Sequence, residues 1–229
     1  GFPGAEIVFK GQEFALSDAL YMLQFGSEDK AKIVEITNDK EFTAVVPESA
    51  VSGIISFAIG TQVIDMTSYP FTVLQHATLD APKEGEPIPS GFAGSAFAIT
   101  GTNLVQELLD KSVEGLEPLK VTFSKAGGEP VEAAIDTDNL TDKSIPLTVP
   151  ASLEAGDYTI TVITPFETIG TQLKYTVLPM PTVTGISTKA GYINAEVTII
   201  GQNFGTKAEN IQVFFGETVC DKVTLNDKG

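Results

Sequence analysis

The sequence predicts an all-β protein of tandem β-sandwich domains, on three observations. A strand-and-glycine pattern recurs three times along the chain. The strands alternate apolar with polar residues at period two, and clusters of Gly, Pro, Asn and Asp separate them at short intervals. The repeat carries most weight. An apolar strand ending in Gly, with a large apolar residue three positions on, occurs as Ile7-Val8-Phe9-Lys10-Gly11 with Phe14. It returns as Phe97-Ala98-Ile99-Thr100-Gly101 with Leu104, and as Val197-Thr198-Ile199-Ile200-Gly201 with Phe204. The three glycines stand 90 and 100 positions apart.

Each glycine is followed by a second apolar strand, at Met22–Gly26, Leu119–Phe123 and Ile211–Gly216. The first two copies continue in a common register. Phe42-Thr43-Ala44-Val45-Val46-Pro47 answers Ile145-Pro146-Leu147-Thr148-Val149-Pro150, and Gly53 answers Gly156, both offset by 103 positions. Pro70–Leu74 then matches Lys174–Leu178. Tyr158, Ile160 and Val162, or Tyr175 and Val177, fall on one face of a strand because successive side chains point to opposite sides. Thr and Val dominate these stretches, as pleated surfaces favour. The one helical turn expected is Leu104-Val105-Gln106-Glu107-Leu108-Leu109.

The repeats set three domains: 1–75, with too little chain ahead of Gly11 for a first strand; 76–179; and 180–229, the first half of a third sandwich. Leu178-Pro179-Met180-Pro181 reads as a stiff junction, since each Pro fixes φ and disfavours helix in its predecessor. A half-domain at 180–229 leaves edges and core residues such as Val213 and Phe215 without cover, so it is expected to pack on the second copy or to pair edge to edge with a neighbour.

Composition excludes several functions. With 14 basic residues, all Lys, against 30 acidic ones, the formal net charge is −16. An acidic surface without a single Arg fork does not grip phosphates or guanine edges, so nucleic acid is not a partner. No apolar run approaches the ~20 residues of a membrane helix, and no transmembrane segment is expected. One Cys and one His rule out an intramolecular disulfide, a Cys/His zinc site and any catalytic arrangement needing two such residues. No catalytic residue and no cofactor is assigned. The chain opens on Gly1-Phe2-Pro3-Gly4 without a secretion signal, the expectation for a chain whose leader has been removed.

Pro181-Thr182-Val183-Thr184-Gly185-Ile186-Ser187, Gly191, Gly201-Gln202-Asn203-Phe204-Gly205 and Val213-Phe214-Phe215-Gly216 resemble the IPT/TIG family of immunoglobulin-like domains. The first two copies keep that skeleton more loosely, through Gly11-Gln12-Glu13-Phe14 and Gly101-Thr102-Asn103-Leu104. In physical terms Gly201 supplies a backbone geometry other residues resist, Asn203 holds a turn through its side chain and Phe204 anchors the loop. Tandem, acidic, cysteine-poor domains of this kind look like those of Bacteroidetes glycan-binding or adhesion lipoproteins. The resemblance implies an extracellular or outer-membrane location with a lipid anchor in the full protein, and a polysaccharide or another surface protein as partner. It implies a non-enzymatic role in adhesion or glycan capture, with an accessory module of a larger glycan-processing enzyme as the alternative. Sugar platforms use exposed aromatic rings, Trp above all, and this chain has no Trp. The expected role is therefore the spacer that presents a binding surface.

Individual residues complete the reading. Tyr21, Tyr69, Phe92, Phe166 and Tyr192 lie at expected loops or strand ends and are the candidates for stacking on a sugar. Asp136, Asp138 and Asp142 offer hard oxygen ligands in one loop, either a calcium-type site lacking the glycine and distal Glu of an EF-hand or a solvated acidic turn. Tyr158 resembles the tyrosine corner of immunoglobulin-like sandwiches. His76 reads as a junction or surface contact, and Cys220 as a small buried hydrophobe.

Overall fold

The computed structural model describes residues 1–14, 17–80 and 85–226, with backbone alone at 170–172; Gly229, expected to close the third copy, lies outside them. The protein is all-β. In the first copy the strands are β1 (Glu6–Lys10), β2 (Tyr21–Phe25), β3 (Lys32–Asn38), β4 (Glu41–Val45), β5 (Gly53–Ile59), β6 (Gln62–Ile64) and β7 (Pro70–Phe71). One sheet runs β1-β4-β3; the other runs β2-β5-β6, with β7 also on β5. Burial follows the predicted period: Leu23 and Phe25 on β2, Phe42 and Ala44 on β4, and Ile55 and Phe57 on β5 all point inward.

The second copy comprises β8 (Thr78–Leu79), β9 (Ser90–Gly91), β10 (Ala96–Thr102), β11 (Lys120–Ser124), β12 (Val131–Glu132), β13 (Ala134–Ile135), β14 (Ser144–Thr148), β15 (Gly156–Ile163) and β16 (Thr168–Val177). Its sheets run β13-β14-β10-β8 and β12-β11-β15-β16-β9. Ile99, Val121, Phe123, Ile145, Ile160 and Val162 form the centre of its core. The registers reproduce the sequence repeat: Phe9 faces Phe42 across β1 and β4, and Ile99 faces Ile145 across β10 and β14. The two cores share no buried residue.

The third copy contributes β17 (Thr182–Ile186), β18 (Ile199–Gln202), β19 (Phe214–Phe215) and β20 (Thr218–Val219), in two separate two-stranded ladders. Among the described residues none of these strands pairs with a strand of the second copy. The physical result is exposure. Phe214 is 55% and Phe215 62% exposed, and Val183 and Ile200 are also open. Cys220, expected to be buried, is only half-buried, because its hairpin has no opposing sheet among the described residues.

The expected helical turn at 104–109 is absent. Asn103 is held in the left-handed region at φ 56°, and the Leu104 N–H is drawn to the Asp142 carbonyl at 2.9 Å. The chain beyond leaves the corner in an irregular, non-helical path. Short 3-10 turns occur instead at Asp18–Leu20, Thr137–Asn139 and Ala208–Asn210. The first and third begin seven positions past their corner glycines, a further correspondence between copies one and three.

Candidate functional site

The repeated corner shares one backbone turn in every copy. The second residue past the glycine takes positive φ in all three: Glu13 at 58°, Asn103 at 56° and Asn203 at 63°. Asparagine tolerates this region and can use its amide locally, and both asparagines do so. Asn103 Nδ2 donates to the His76 carbonyl and Asn203 Nδ2 to the Met180 carbonyl, each at 3.2 Å. In copies one and two the corner is also tied to the opposite strand pair. The N–H groups of Gly11 and Phe14 donate to the carbonyls of Lys40 and Asp39, and those of Gly101 and Leu104 to Lys143 and Asp142.

The glycines themselves have a different reason than the one expected. Neither Gly101 nor Gly201 has positive φ. A side chain at Gly101 would run into the Thr78 carbonyl oxygen, and one at Gly201 into the Thr182 carbonyl oxygen, where the entering strand crosses the corner. Gly is required for close backbone approach rather than for its dihedral freedom.

A second repeated turn lies nine residues ahead of each corner, at Phe2, Phe92 and Tyr192. In each the aromatic carbonyl accepts from the N–H three positions on, from Ala5, Ser95 and Ala195 at 3.0–3.1 Å. The intervening Gly4, Gly94 and Asn194 all have positive φ. In the first copy this turn reaches the next domain, for the Phe2 ring stacks on His76 at 4.3 Å with an interplanar angle of 4°. His76 Nδ1 also lies 3.0 Å from Glu167 Oε2, while Glu167 Oε1 accepts from the Ala77 N–H at 2.6 Å. The junction reading of His76 is thus realised in a definite contact set. Phe2, Gln106 and Glu167 were not singled out from sequence, although superposing the repeats would have exposed the long corner of copy two as an insertion.

The stacking candidates do not converge. Tyr21 stands at a strand end, as expected, where it opens β2, but it is only 8% exposed, its ring packed edge-on to Phe42 and stacked on Phe57. Burial pushes its phenol pKa up. It is a core residue, drawn in because strand alternation places it on the face of Leu23 and Phe25. Tyr69 is 65% exposed ahead of β7, Phe92 sits at the rim of the second copy, Phe166 is half-buried in the β15–β16 turn, and Tyr192 is 95% exposed. Among the described residues no ring contact joins any two of the five.

The acidic loop is likewise structural. Asp136 caps the 3-10 turn, accepting from the Asp138 N–H at 3.2 Å and from Asn139 Nδ2 at 2.8 Å. Among the described residues no group of three carboxylate, His or Cys side chains gathers where a metal could be held, so Asp136, Asp138 and Asp142 do not form the expected cation site.

Tyr158 keeps the tyrosine-corner geometry. Its hydroxyl donates to the Glu154 carbonyl at 3.0 Å while its ring is buried in the second core. Tyr158→Phe is expected to destabilise the second domain by about 1 kcal/mol, the worth of one partly buried hydrogen bond. Denaturant unfolding followed through the domain checks this; no change would mean that the hydroxyl is equally well served by water.

No helix among the described residues is long and apolar enough to cross a membrane. No curated protein matches the chain. Among solved structures it is similar to the extracellular region of Plexin A4, at 15% identity and TM-score 0.35, covering 77% of this chain and 17% of that one. It is similar also to SGBP-B of the Bacteroides ovatus mixed-linkage glucan utilization locus, in complex with a mixed-linkage heptasaccharide, at 19% identity and TM-score 0.31, over 80% and 44%. A structure with a xylogluco-oligosaccharide is 22% identical, with TM-score 0.36, over 89% and 44%. The chain thus spans less than half the length of each. The corner at Gly201-Gln202-Asn203-Phe204 lies within residues 181–229, which match the model of the IPT/TIG domain.

Proposed function

We propose that the chain is a non-enzymatic spacer of tandem immunoglobulin-like units in a cell-surface protein of adhesion or glycan capture. The units are 1–75, 76–179 and 180–229. The observation that carries this reading is the repetition of one corner at Gly11, Gly101 and Gly201, each followed by a residue at positive φ and an apolar anchor. Such a chain of sandwiches sets distance and direction rather than performing chemistry. Its charge of −16 keeps it soluble and discourages association with its own copies and with other acidic surfaces. The longer protein would be anchored by lipid at the outer surface, with a polysaccharide or a second surface protein held by another domain. The open ladders of 180–229 would be covered by strands added at their edges.

A polysaccharide array probed in parallel with this chain and with a longer protein that includes it tests the reading. Binding is expected only with the longer protein. Saturable binding by this chain alone would replace the spacer with a reading head.

A further inference from the structure

The junction between copies one and two is built differently from that between copies two and three, although both start from the same scaffold. His76 and Met180 occupy equivalent places, each receiving the corner asparagine. Leu74 and Leu178 are equivalent too, donating their N–H groups to the Gly1 and Gly91 carbonyls. The second copy then departs from its neighbours. Its second strand begins at Lys120, nineteen positions past Gly101, whereas in the first copy it begins at Tyr21, ten past Gly11.

The extra chain returns to the first copy. Gln106 Nε2 donates to the Gln75 carbonyl and Gln106 Oε1 accepts from the Gln75 N–H, both at 2.7 Å. This two-bond grip fixes a peptide as a neighbouring strand would. Three positions on, the Leu109 N–H donates to Thr72 Oγ1 at 2.7 Å. On the other side of the linker Glu167 holds Ala77 and His76, and Phe2 stacks on the imidazole. The second junction has no such means. Pro179 stands where Gln75 stands and has no N–H to give, and Thr206, five positions past Gly201, is too short to reach both groups of a peptide. Among the described residues, no hydrogen bond, ion pair or ring contact that the structure gives spans from residues before Met180 to those after it, whereas the first junction has four.

We propose that residues 105–118 are a strap, with Gln106 as its clasp, that holds copies one and two in one fixed orientation and leaves bending to the 178–181 junction. The prolines there stiffen the linker backbone but have no N–H to donate across it. The inference deepens the spacer reading and rests on it, giving the spacer one rigid segment and one compliant joint.

Spin-label distance measurements in a Cys220→Ser background test it on the whole chain. Labels at Ser56→Cys and Ser152→Cys report the first junction, and labels at Ser152→Cys and Gln202→Cys the second. All three positions are exposed and outside the strap. The first pair is expected to give a single narrow distribution and the second one at least twofold wider. Gln106→Ala, or Gln106→Glu, which keeps the length but loses the donor, should widen the first distribution towards the second. Equal widths in the two pairs would overturn the proposal, and so would an unchanged width in folded Gln106 variants. Glycan binding by the chain would undo the spacer reading without altering these widths, so the two failures are distinguishable.

Discussion

Gly101→Ala is expected to destabilise the second domain by about 1–3 kcal/mol or more, the cost of forcing an extra methyl group into a closed contact. An added Cβ would meet the Thr78 carbonyl oxygen and stand 3.1 Å from Leu104 Cδ2. Neither can retreat. Thr78 is held in the β8–β10 ladder opposite Thr102, with the two hydroxyls 2.7 Å apart, and Leu104 is 1% exposed. The usual gain from a stiffer unfolded chain, about 0.4–1 kcal/mol, does not offset this. Gly11→Ala is the control. There the Cβ would meet only the end of the Phe14 ring, at 2.6 Å, and Phe14 is half-buried and can turn aside. A fall of roughly 5–20 °C in the melting midpoint is expected for Gly101→Ala, and a much smaller one for Gly11→Ala. Equal effects at both positions would show that the crossing strand is not why copy two needs its glycine.

Much of the fold was legible because strand alternation and turn residues are local signals, and a threefold repeat lets each copy vouch for the others. Phe42 and Ile145 were aligned by counting alone, and their registers in the sheets agree. Gly53 and Gly156 each open a strand, but Gly53 faces Phe71 where Gly156 faces Val177, so the closing strand is shifted between the copies. What sequence misread were positions decided by tertiary contact. Leu104–Leu109 has the apolar spacing of a helical turn, yet Asn103 and the carbonyl of Asp142 set the direction of the chain there. Tyr21 was expected at a loop or strand end and open to a ligand; it does begin a strand, but period-two alternation with Leu23 and Phe25 places it inside.

The site was less legible than the fold. A capping Asp and a calcium-ligating Asp have the same local sequence, and what separates them is whether further ligating side chains gather around it in space, which they do not among the described residues. Gln106 and Glu167 act across 31 and 90 positions of sequence, on Gln75 and Ala77, and nothing in their own neighbourhoods marks them. The signal that could have found Gln106 was the unequal spacing of the corner and the next strand in copies one and two.

Phe42→Ala is expected to unfold the first domain while leaving the second intact. Phe42 is 0% exposed and lies at the centre of an aromatic cluster: its ring is stacked on Phe9 at 4.8 Å and meets Phe14 and Tyr21 edge-on, each at 4.9 Å. Phe57 closes the group at 5.5 Å. Truncating a buried Phe costs about 3–5 kcal/mol, because four flat rings cannot collapse into the space of a fifth. Against a domain stability of about 5–15 kcal/mol, that leaves the first copy marginal. The second core shares no buried residue with it, and the strap joins them through a few half-exposed hydrogen bonds worth about 1 kcal/mol each. Those bonds can fix an orientation without making two cores unfold as one. Amide exchange should therefore lose protection across β2, β4 and β5 in the variant, while β11, β14 and β15 keep theirs. Parallel loss in both sets would mean that the two sandwiches are a single cooperative unit, and the division at residue 75 would have to be abandoned.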